Sequence, residues 1–404
     1  MIWYDFGGNR CDLTMVTGIT AYKRRKCSGM SSTMLEFYLK QNITTEHVDF
    51  ENQNEYFRKR KNLYRQLGVP MLAIKGSDIL EVGPGPGHNS IPLIIEGAGS
   101  IDLVEPNPVA VKDLEYNFKQ MGIAKTLYTV YPVTLEEYCS EKKYDMVIAE
   151  GYVQSAENWK EFMTMLKTFT KKNSIVIVTC MDELGMYLER MKRFTGRYIV
   201  KDIQGFDEKK KKLIEIFGES LKTLRGMTRS VEEWVMAIIF CDSTISDNFM
   251  SVKDAILLFQ EEFDVLGCSQ NIFTDYSWYK DLDYDYIASY IEQYDCKRNM
   301  FLIAGECEER QGGAAANRKL AKLIRDINQE TIDIEQNNKN LSDLYEMINQ
   351  ITECTLSVTV KQYNKELKDI LQGLEKGNEV DIAKYPVWNT SFGKSMQYIS
   401  FQRR

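Results

Sequence analysis

The stretch DILEVGPGPGHNSIPLIIEGAGSIDLVEPNP, residues 78–108, decides the fold. An apolar run leads into Gly83, Gly85 and Gly87, and a second apolar run ends at Glu105. Glycine lets the backbone turn sharply and lets a ligand approach without a Cβ in the way. The following helix start offers free N–H groups, and a carboxylate at the next strand end can accept both hydroxyls of a ribose. The stretch predicts a strand, loop, helix and strand around a nucleoside-containing cofactor.

The spacing of the glycines separates two kinds of cofactor. A dinucleotide site follows GxGxxG, in which the third glycine allows close helix packing. Counting from Gly83 puts His88 at that third position, and counting from Gly85 puts Ser90 there. What is present is ExGxGxG, which resembles the first motif of class I S-adenosylmethionine-dependent methyltransferases. The spacing therefore disfavours a nicotinamide oxidoreductase.

The resemblance implies roles for several residues of this first half. In the family, the glycine loop wraps the methionine part of the cofactor, and the acidic residue that opens the motif helps to hold its amino group; here that residue is Glu81. Glu105 matches the acidic ribose ligand, and Asn107 is assigned to the same site. S-adenosyl-L-methionine is therefore the expected cofactor.

The third and fourth strands are expected to complete the cofactor site. The family often has Asp after the third strand, beside the adenine, whereas VTLEEY (133–138) puts Thr134 nearest to that place. This departure leaves Thr134, Leu135 or their backbone as the adenine contact, with Glu136 a lesser candidate. YDMVIAEGY (144–152) then puts Glu150 where the family meets cofactor and acceptor.

Two residues are candidates for catalysis. Methyl transfer depends mostly on positioning two reactants, and a hydroxyl acceptor is helped by a general base. Glu150 is the best-placed carboxylate, with a pure cofactor contact as its alternative role. His88 is the second candidate, although it also suits a helix start or the wall of the methionine pocket. Asp182 and Glu183 could face an acceptor, but such residues are more often solvated helix-start carboxylates.

The pattern around this motif predicts an α/β fold with a doubly wound, mostly parallel Rossmann-like sheet. Strand and helix candidates alternate, and several strands read as continuous apolar runs, as a sheet covered on both faces requires. The strand candidates are residues 78–82, 100–105, 126–131, 144–150 and 174–180, followed by 263–268 and 300–306; the intervening helices are expected near 88–97, 108–121 and 155–170.

Changes of pattern along the chain predict its domains. Residues 1–40 read as a poorly ordered leader, residues 41–310 as the methyltransferase domain with a helical insertion at about 200–262, and residues 311–404 as a C-terminal helical extension. The extension should open with a helix of about 35 residues. Its apolar residues recur every seven positions, which favours packing on its own domain over a homodimer; these are Leu320, Ile327, Ile334, Leu341 and Ile348.

Composition restricts the partners and the compartment. The net charge of −7 argues against a sequence-independent grip on nucleic acid. Nine scattered cysteines with no CxxC pair, and only two histidines, make a metal site unlikely on spacing and favour reduced thiols. No apolar run approaches bilayer length, and the first residues lack a signal-peptide layout. The expected protein is cytoplasmic, without a membrane span.

These observations predict a methyltransferase acting on a small-molecule or saccharide acceptor, by O-methylation. Tyr276, Trp278 and Tyr279 suit stacking on an acceptor, although ordinary packing explains them more simply. Residues 226–235, 263–282 and 392–401 are similar to a group of bacterial methyltransferases associated with surface-glycan biosynthesis, which implies a glycan-precursor acceptor. The alternatives are an aminopropyl transferase, a nicotinamide oxidoreductase and a non-catalytic assembly protein that binds the cofactor.

Overall fold

The computed structural model describes residues 33–44, 53–153, 156–222, 229–280, 283–305, 313–379 and 381–404. Most of the leader expected at residues 1–40 lies outside the described residues. The strands are β1 (Asp78–Val82), β2 (Ser100–Val104), β3 (Tyr128–Tyr131), β4 (Tyr144–Ala149), β5 (Thr170–Met181), β6 (Phe263–Cys268) and β7 (Met396–Arg403).

The helices of the described residues fall into two groups. The first group belongs to the sheet region and consists of α1 (Thr33–Gln41), α2 (Gln53–Gln66), α3 (Ser90–Ile95), α4 (Pro108–Gln120) and α5 (Trp159–Thr168). The second group follows β5 and consists of α6 (Glu183–Ile199), α7 (Phe206–Lys222), α8 (Val231–Trp234), α9 (Val252–Phe259), α10 (Tyr286–Lys297), α11 (Gly313–Asn337), α12 (Ser342–Cys354), α13 (Val358–Glu375) and α14 (Pro386–Thr390).

The strands form one sheet in the order β3-β2-β1-β4-β5-β7-β6. Strands β3, β2, β1, β4 and β5 pair in parallel, and β7 is antiparallel to both of its neighbours. The doubly wound, mostly parallel sheet is thereby confirmed. Strand order reverses beside β1, which is flanked by β2 and β4, and ligands of such sheets bind at the carboxyl ends of the strands at that point.

One hydrophobic core lies around the parallel strands. It joins apolar residues of β1, β2 and β4 to residues of α2, α3 and α4. Ile79, Ile101 and Ile148 are fully buried in it. Burial of apolar side chains explains why these short runs form strands, since a strand covered on both faces does not alternate between apolar and polar residues.

A second hydrophobic core joins helices that are far apart in the sequence. It contains residues of α6, of the insertion helices α7 and α8, and of α11–α14. Trp388 is fully buried there and stacks on Phe217 at 5.7 Å between ring centroids. The predicted insertion and the predicted C-terminal extension therefore share one core.

The expected strand at residues 300–306 is wrong. Arg298–Phe301 forms a 3-10 helix, followed by bends through residue 305. Leu302 and Ile303 are buried in the second core, and the amide of Ala304 donates to the carbonyl of Phe392 at 2.7 Å. The apolar run fills a helical core instead of extending the sheet.

The place beside β5 is taken by β7, which the sequence analysis assigned to the helical extension. Met181 pairs with Met396, and Ile175 pairs with Gln402. On its other side β7 pairs with β6. The predicted C-terminal helical extension is present as α11–α14, but its last strand, β7, is internal to the sheet.

The expected helix of about 35 residues is interrupted. Asn338 has a left-handed backbone, with φ of +51°, between α11 and α12. All five heptad residues named above are buried in the second core of their own chain. The apolar line thus packs within the chain, which removes the ground for predicting a homodimer through this helix.

Two further observations concern the predicted leader and the prediction that no helix spans a membrane. Residues 33–40, expected in the leader, belong to helix α1, whose Tyr38 is buried. Within the described residues, no helix combines the length and the apolar character needed to cross a membrane.

Candidate active site

An open cleft lies where the carboxyl ends of β1, β2 and β4 meet the start of β7. Its volume is about 1060 Å³ when the part open to solvent is included. Val82, Val104 and Glu150 line it at the ends of the parallel strands, and Met396 and Tyr398 line it from β7. The cleft occupies the position that the strand order predicts for a ligand.

The three glycines of the loop after β1 have different structural roles. All have positive φ, at +69°, +56° and +80° for Gly83, Gly85 and Gly87. Gly83 and Gly85 line the cleft, as predicted. Gly87 does not; a Cβ there would stand 2.7 Å from Cε1 of Phe118 on α4. The third glycine is thus required by the packing of the loop on α4.

Glu105 directly follows β2 and is buried. Its Oε2 accepts from the amide of Gly85 at 2.9 Å, and its Oε1 accepts from the amide of Asn107 at 2.8 Å. Burial raises the pKa of Glu105 to about 7, although the two amide hydrogen bonds oppose the rise. Each oxygen keeps lone-pair capacity, so the carboxylate can accept further donors from the cleft, which it lines.

Glu81 lies behind the loop and does not line the cleft. Its Oε2 accepts from the hydroxyl of Ser90 at 2.5 Å, at the start of α3. Burial raises the pKa of Glu81 to about 7, with the Ser90 hydrogen bond opposing the rise. The structure therefore ties this carboxylate to the start of the helix, and its expected contact with the cofactor, often through water in the family, stays a prediction.

Glu150 lines the cleft at the end of β4, and both of its oxygens have partners. Oε1 accepts from Nη2 of Arg60 on α2 at 2.7 Å, and Oε2 accepts from Nδ2 of Asn89 at 3.1 Å. Asn89 in turn accepts from the hydroxyl of Tyr56 at 2.6 Å. A polar network thus connects α2, the glycine loop and β4.

The ion pair between Arg60 and Glu150 is buried on both sides. Burial of the guanidinium opposes its charge, but the neighbouring Glu150 carboxylate prevails and raises the pKa of Arg60 well above its ordinary value. Protonation of Glu150 would leave a buried guanidinium without its counter-charge, which is costly. This arrangement favours a positioning role for Glu150 over proton transfer.

His88, the second catalytic candidate, lies away from the cleft. The side chain is buried, and its Nε2 lies 3.4 Å from Nδ2 of Asn117 on α4. That amide also donates to the carbonyl of Pro86 at 3.0 Å. His88 does not line the cleft, because the turn at Gly87 directs it towards α4.

The remaining predicted cofactor residues come together at one end of the cleft. Asn107, Thr134 and Leu135 all line it, beside Glu105. Asn107 also caps α4, with Oδ1 accepting from the amide of Val109 at 3.0 Å. The third strand therefore contributes Thr134 and Leu135 where the sequence pattern expected an adenine contact.

The other end of the cleft has a different lining. Arg229 precedes α8, and Met396 and Tyr398 belong to β7, whereas Tyr152, after β4, lies beside Gly83 of the glycine loop. Because β7 lies beyond β5 in the sheet, this end is separated from Glu105 by the width of several strands. The cleft thus has two ends of different composition.

Two groups of predicted acceptor residues lie elsewhere. Asp182 and Glu183 are buried and bind Arg298, so they are neither solvated nor part of the cleft. Tyr276, Trp278 and Tyr279 are exposed, with Trp278 at 76%. Ordinary packing therefore does not explain these aromatic residues, and they do not line the cleft.

Sequence reasoning missed Arg60, Asn89 and the whole of α1. Met34, Leu35 and Tyr38 of α1 line the cleft from a segment that reads as a leader. For Asn89 a signal was present, since a side-chain amide directly before a helix in a ligand loop is well placed to bind. The segment around Arg60 resembles an ordinary solvated helix.

Comparison with known proteins agrees with this geometry. Residues 56–209 match the family model described as a methyltransferase domain. No curated protein matches the chain in sequence. The matched range runs from α2 into α7 and contains the glycine loop, Glu105 and Glu150.

Solved structures that resemble the chain do so at low identity and low TM-score. A provisionally named methyltransferase of Thermoplasma acidophilum is 22% identical, with 26% of this chain and 44% of that chain covered and a TM-score of 0.24. A provisionally named sarcosine dimethylglycine methyltransferase of Galdieria sulphuraria is 11% identical, with 92% and 97% covered and a TM-score of 0.36. The N-methyltransferase NodS of Bradyrhizobium japonicum, in complex with S-adenosylhomocysteine, is 9% identical, with 38% and 75% covered and a TM-score of 0.30.

The alignment spans less than half of the Thermoplasma protein. The family model, the ExGxGxG loop and the carboxylate after β2 agree with one another. Residues 56–209 are therefore a methyltransferase domain of the class I, S-adenosylmethionine-dependent type.

Proposed function

We propose that the protein transfers a methyl group from S-adenosylmethionine to a hydroxyl group of a small-molecule or saccharide acceptor, with S-adenosylhomocysteine as the leaving group and the hydroxyl proton passing to solvent water in the open cleft. The observation that carries the proposal is the cleft with two ends: Glu105 and Asn107 line one, and Arg229, Met396 and Tyr398 line the other. Such a cleft can hold two reactants side by side, and the rate of methyl transfer depends chiefly on that placement.

The residues present fit the cofactor. Glu105 is buried with an elevated pKa, so hydroxyl donors from a ribose would stabilise its charged form. Gly83 lines the cleft with a left-handed backbone, at φ of +69°, and has no side chain between that backbone and a ligand. The bound cofactor supplies a methyl group activated by a sulfonium. The chain supplies binding through Glu105, Asn107 and Gly85.

In this proposal Glu150 positions Arg60 and Asn89, and it does not take up a proton. Its carboxylate holds Arg60 and Asn89, and through them it fixes α2 and the glycine loop around the cleft. The acceptor is held by the end that Arg229 and Tyr398 line, with a cation and a hydroxyl group. This lining suits a polar acceptor that carries hydroxyl groups, such as a glycan precursor.

Methyl-labelled S-adenosylmethionine, incubated with the pure protein and fractionated cell extract, tests the proposal. We expect label in a small polar product, and the ¹³C shift of its methyl group distinguishes oxygen from nitrogen, sulfur or carbon attachment. Glu105→Gln is the control: at a cofactor concentration below saturation this variant should transfer less label, and label that is unchanged with it comes from a contaminant. Label on protein or nucleic acid, or on nitrogen, would refute the proposed acceptor class.

The alternative of a non-catalytic assembly protein loses its support. That hypothesis rested on the heptad residues of the C-terminal helix as a surface for partners. Ile327, Leu341 and Ile348 are buried inside the chain.

A further inference from the structure

A threonine before the first gap in the described residues lines the cleft without a hydrogen bond. Thr44 is 5% exposed, and among the described residues its Oγ1 has no hydrogen-bond partner. A buried hydroxyl without a partner costs free energy. Because Thr44 belongs to the lining of the cleft, a ligand there is the natural partner for its hydroxyl.

The neighbours of Thr44 show at which end of the cleft it lies. The carbonyl of Ile43 accepts from Nδ2 of Asn107 at 3.0 Å. The amide of Asn107 donates to Glu105 at 2.8 Å. Two hydrogen bonds thus connect the residue before Thr44 to the carboxylate expected to hold the ribose.

Helix α1 extends this connection into a wall. Its residues Met34, Leu35 and Tyr38 line the cleft together with Thr44. Tyr38 is buried, and its carbonyl accepts from the amide of Ile43 at 3.1 Å, which closes the helix end against the following turn. The segment 33–44 therefore encloses the cleft from a side that neither the sheet nor the glycine loop covers.

We propose that Thr44 is a cofactor-binding residue whose hydroxyl forms a hydrogen bond with the nucleoside half of the cofactor, and that α1 forms one wall of that half-site. The inference rests on the proposed use of S-adenosylmethionine. It assigns a binding task to a segment that lies outside the matched family model, residues 56–209.

Thr44→Val tests the assignment, since valine keeps the shape and removes the hydroxyl. Two ligands are titrated by calorimetry: S-adenosylhomocysteine and methylthioadenosine, which lacks the amino-acid half. We expect Thr44→Val to weaken both by the same factor, about five- to tenfold, the value of one hydrogen bond. Thr44→Ser should retain wild-type affinity, and Thr129→Val, an exposed threonine on β3, is the matched control.

A second readout guards against a variant that only misfolds. Because valine removes an unpartnered buried hydroxyl, the ligand-free variant should melt at the same temperature as the wild type or higher. Unchanged affinity for both ligands would overturn the proposal, and weakening of S-adenosylhomocysteine alone would overturn the assignment to the nucleoside half. Failure of the wild type to bind either ligand would instead refute the proposed cofactor.

Discussion

In the proposed complex Glu105 accepts the ribose hydroxyls, and its ionised form accepts them more strongly than the protonated acid does. Cofactor binding should therefore weaken as the pH falls through 7. Burial raises the pKa of Glu105 to about 7 in the ligand-free protein. Hydrogen bonds donated by a ligand favour the charged form, so the pKa in the complex lies below that of the free protein. The affinity is therefore full above pH 7 and is lost as the pH falls below it.

The size of the effect follows from the ionised fraction. With a pKa of about 7, roughly nine-tenths of Glu105 is ionised at pH 8 and about one-tenth at pH 6. The affinity should then fall about tenfold between these values, equivalent to about 1.4 kcal/mol. Binding at pH 6 should also release about 0.9 proton per ligand, since a mostly protonated group becomes ionised in the complex.

Calorimetry with S-adenosylhomocysteine at pH 6, 7 and 8 measures both quantities, with two buffers of different ionisation enthalpy at each pH. Glu105→Gln should weaken binding at pH 8 by roughly 1–3 kcal/mol. This variant should also lose most of the pH dependence; Glu81, whose pKa is also about 7, can contribute the remainder. Glu115→Gln, an exposed carboxylate of α4, serves as the control. Equal affinity of the wild type at pH 6 and pH 8 would refute the reasoning.

Three further predictions concern other parts of the cleft. Arg60→Met leaves Glu150 buried without its counter-charge and should lower the free energy of unfolding by about 3–5 kcal/mol. The double variant Arg60→Met with Glu150→Gln should recover part of that loss in chemical denaturation. An equal loss in the single and the double variant would contradict an energetic coupling between Arg60 and Glu150. Gly87→Ala forces a Cβ against α4 at positive φ and should lower the free energy of unfolding by about 2–4 kcal/mol. Gly83→Ala, in the cleft wall, should chiefly weaken S-adenosylhomocysteine binding. Thermal melting measures the first effect and calorimetry the second, and a Gly87 variant as stable as the wild type would refute the packing argument. Arg229→Gln should reduce transfer of labelled methyl to extract fractions while leaving S-adenosylhomocysteine affinity unchanged; a loss of cofactor affinity would show that Arg229 belongs to the other end.

The first half of the fold is predictable because its signals are local. The apolar runs, the glycine loop and Glu105 follow one another within about thirty residues, and crossover rules then fix how the parallel strands are arranged. The same local pattern predicts the lining by Gly83, Gly85 and Glu105, which the structure brings together.

The features that the sequence analysis did not predict depend on contacts between residues far apart in the chain. Arg60 belongs to a highly charged helix that suits solvent, and only its pairing with Glu150 explains its burial. The run at residues 300–306 has strand-like composition but fills a helical core. Residues 396–403 give a short apolar pattern whose place in the sheet depends on β5, more than two hundred residues earlier.

This distant pairing of β5 with β7 imposes an order of assembly on the cleft. Strands β1 to β5 are neighbours in the sequence and can associate early, whereas closing a loop of this length delays the entry of β7. Met396 and Tyr398 reach the cleft only with β7. In a partly folded chain the pocket for the nucleoside would thus form before the binding site for an acceptor. The ability to bind an acceptor would be gained last.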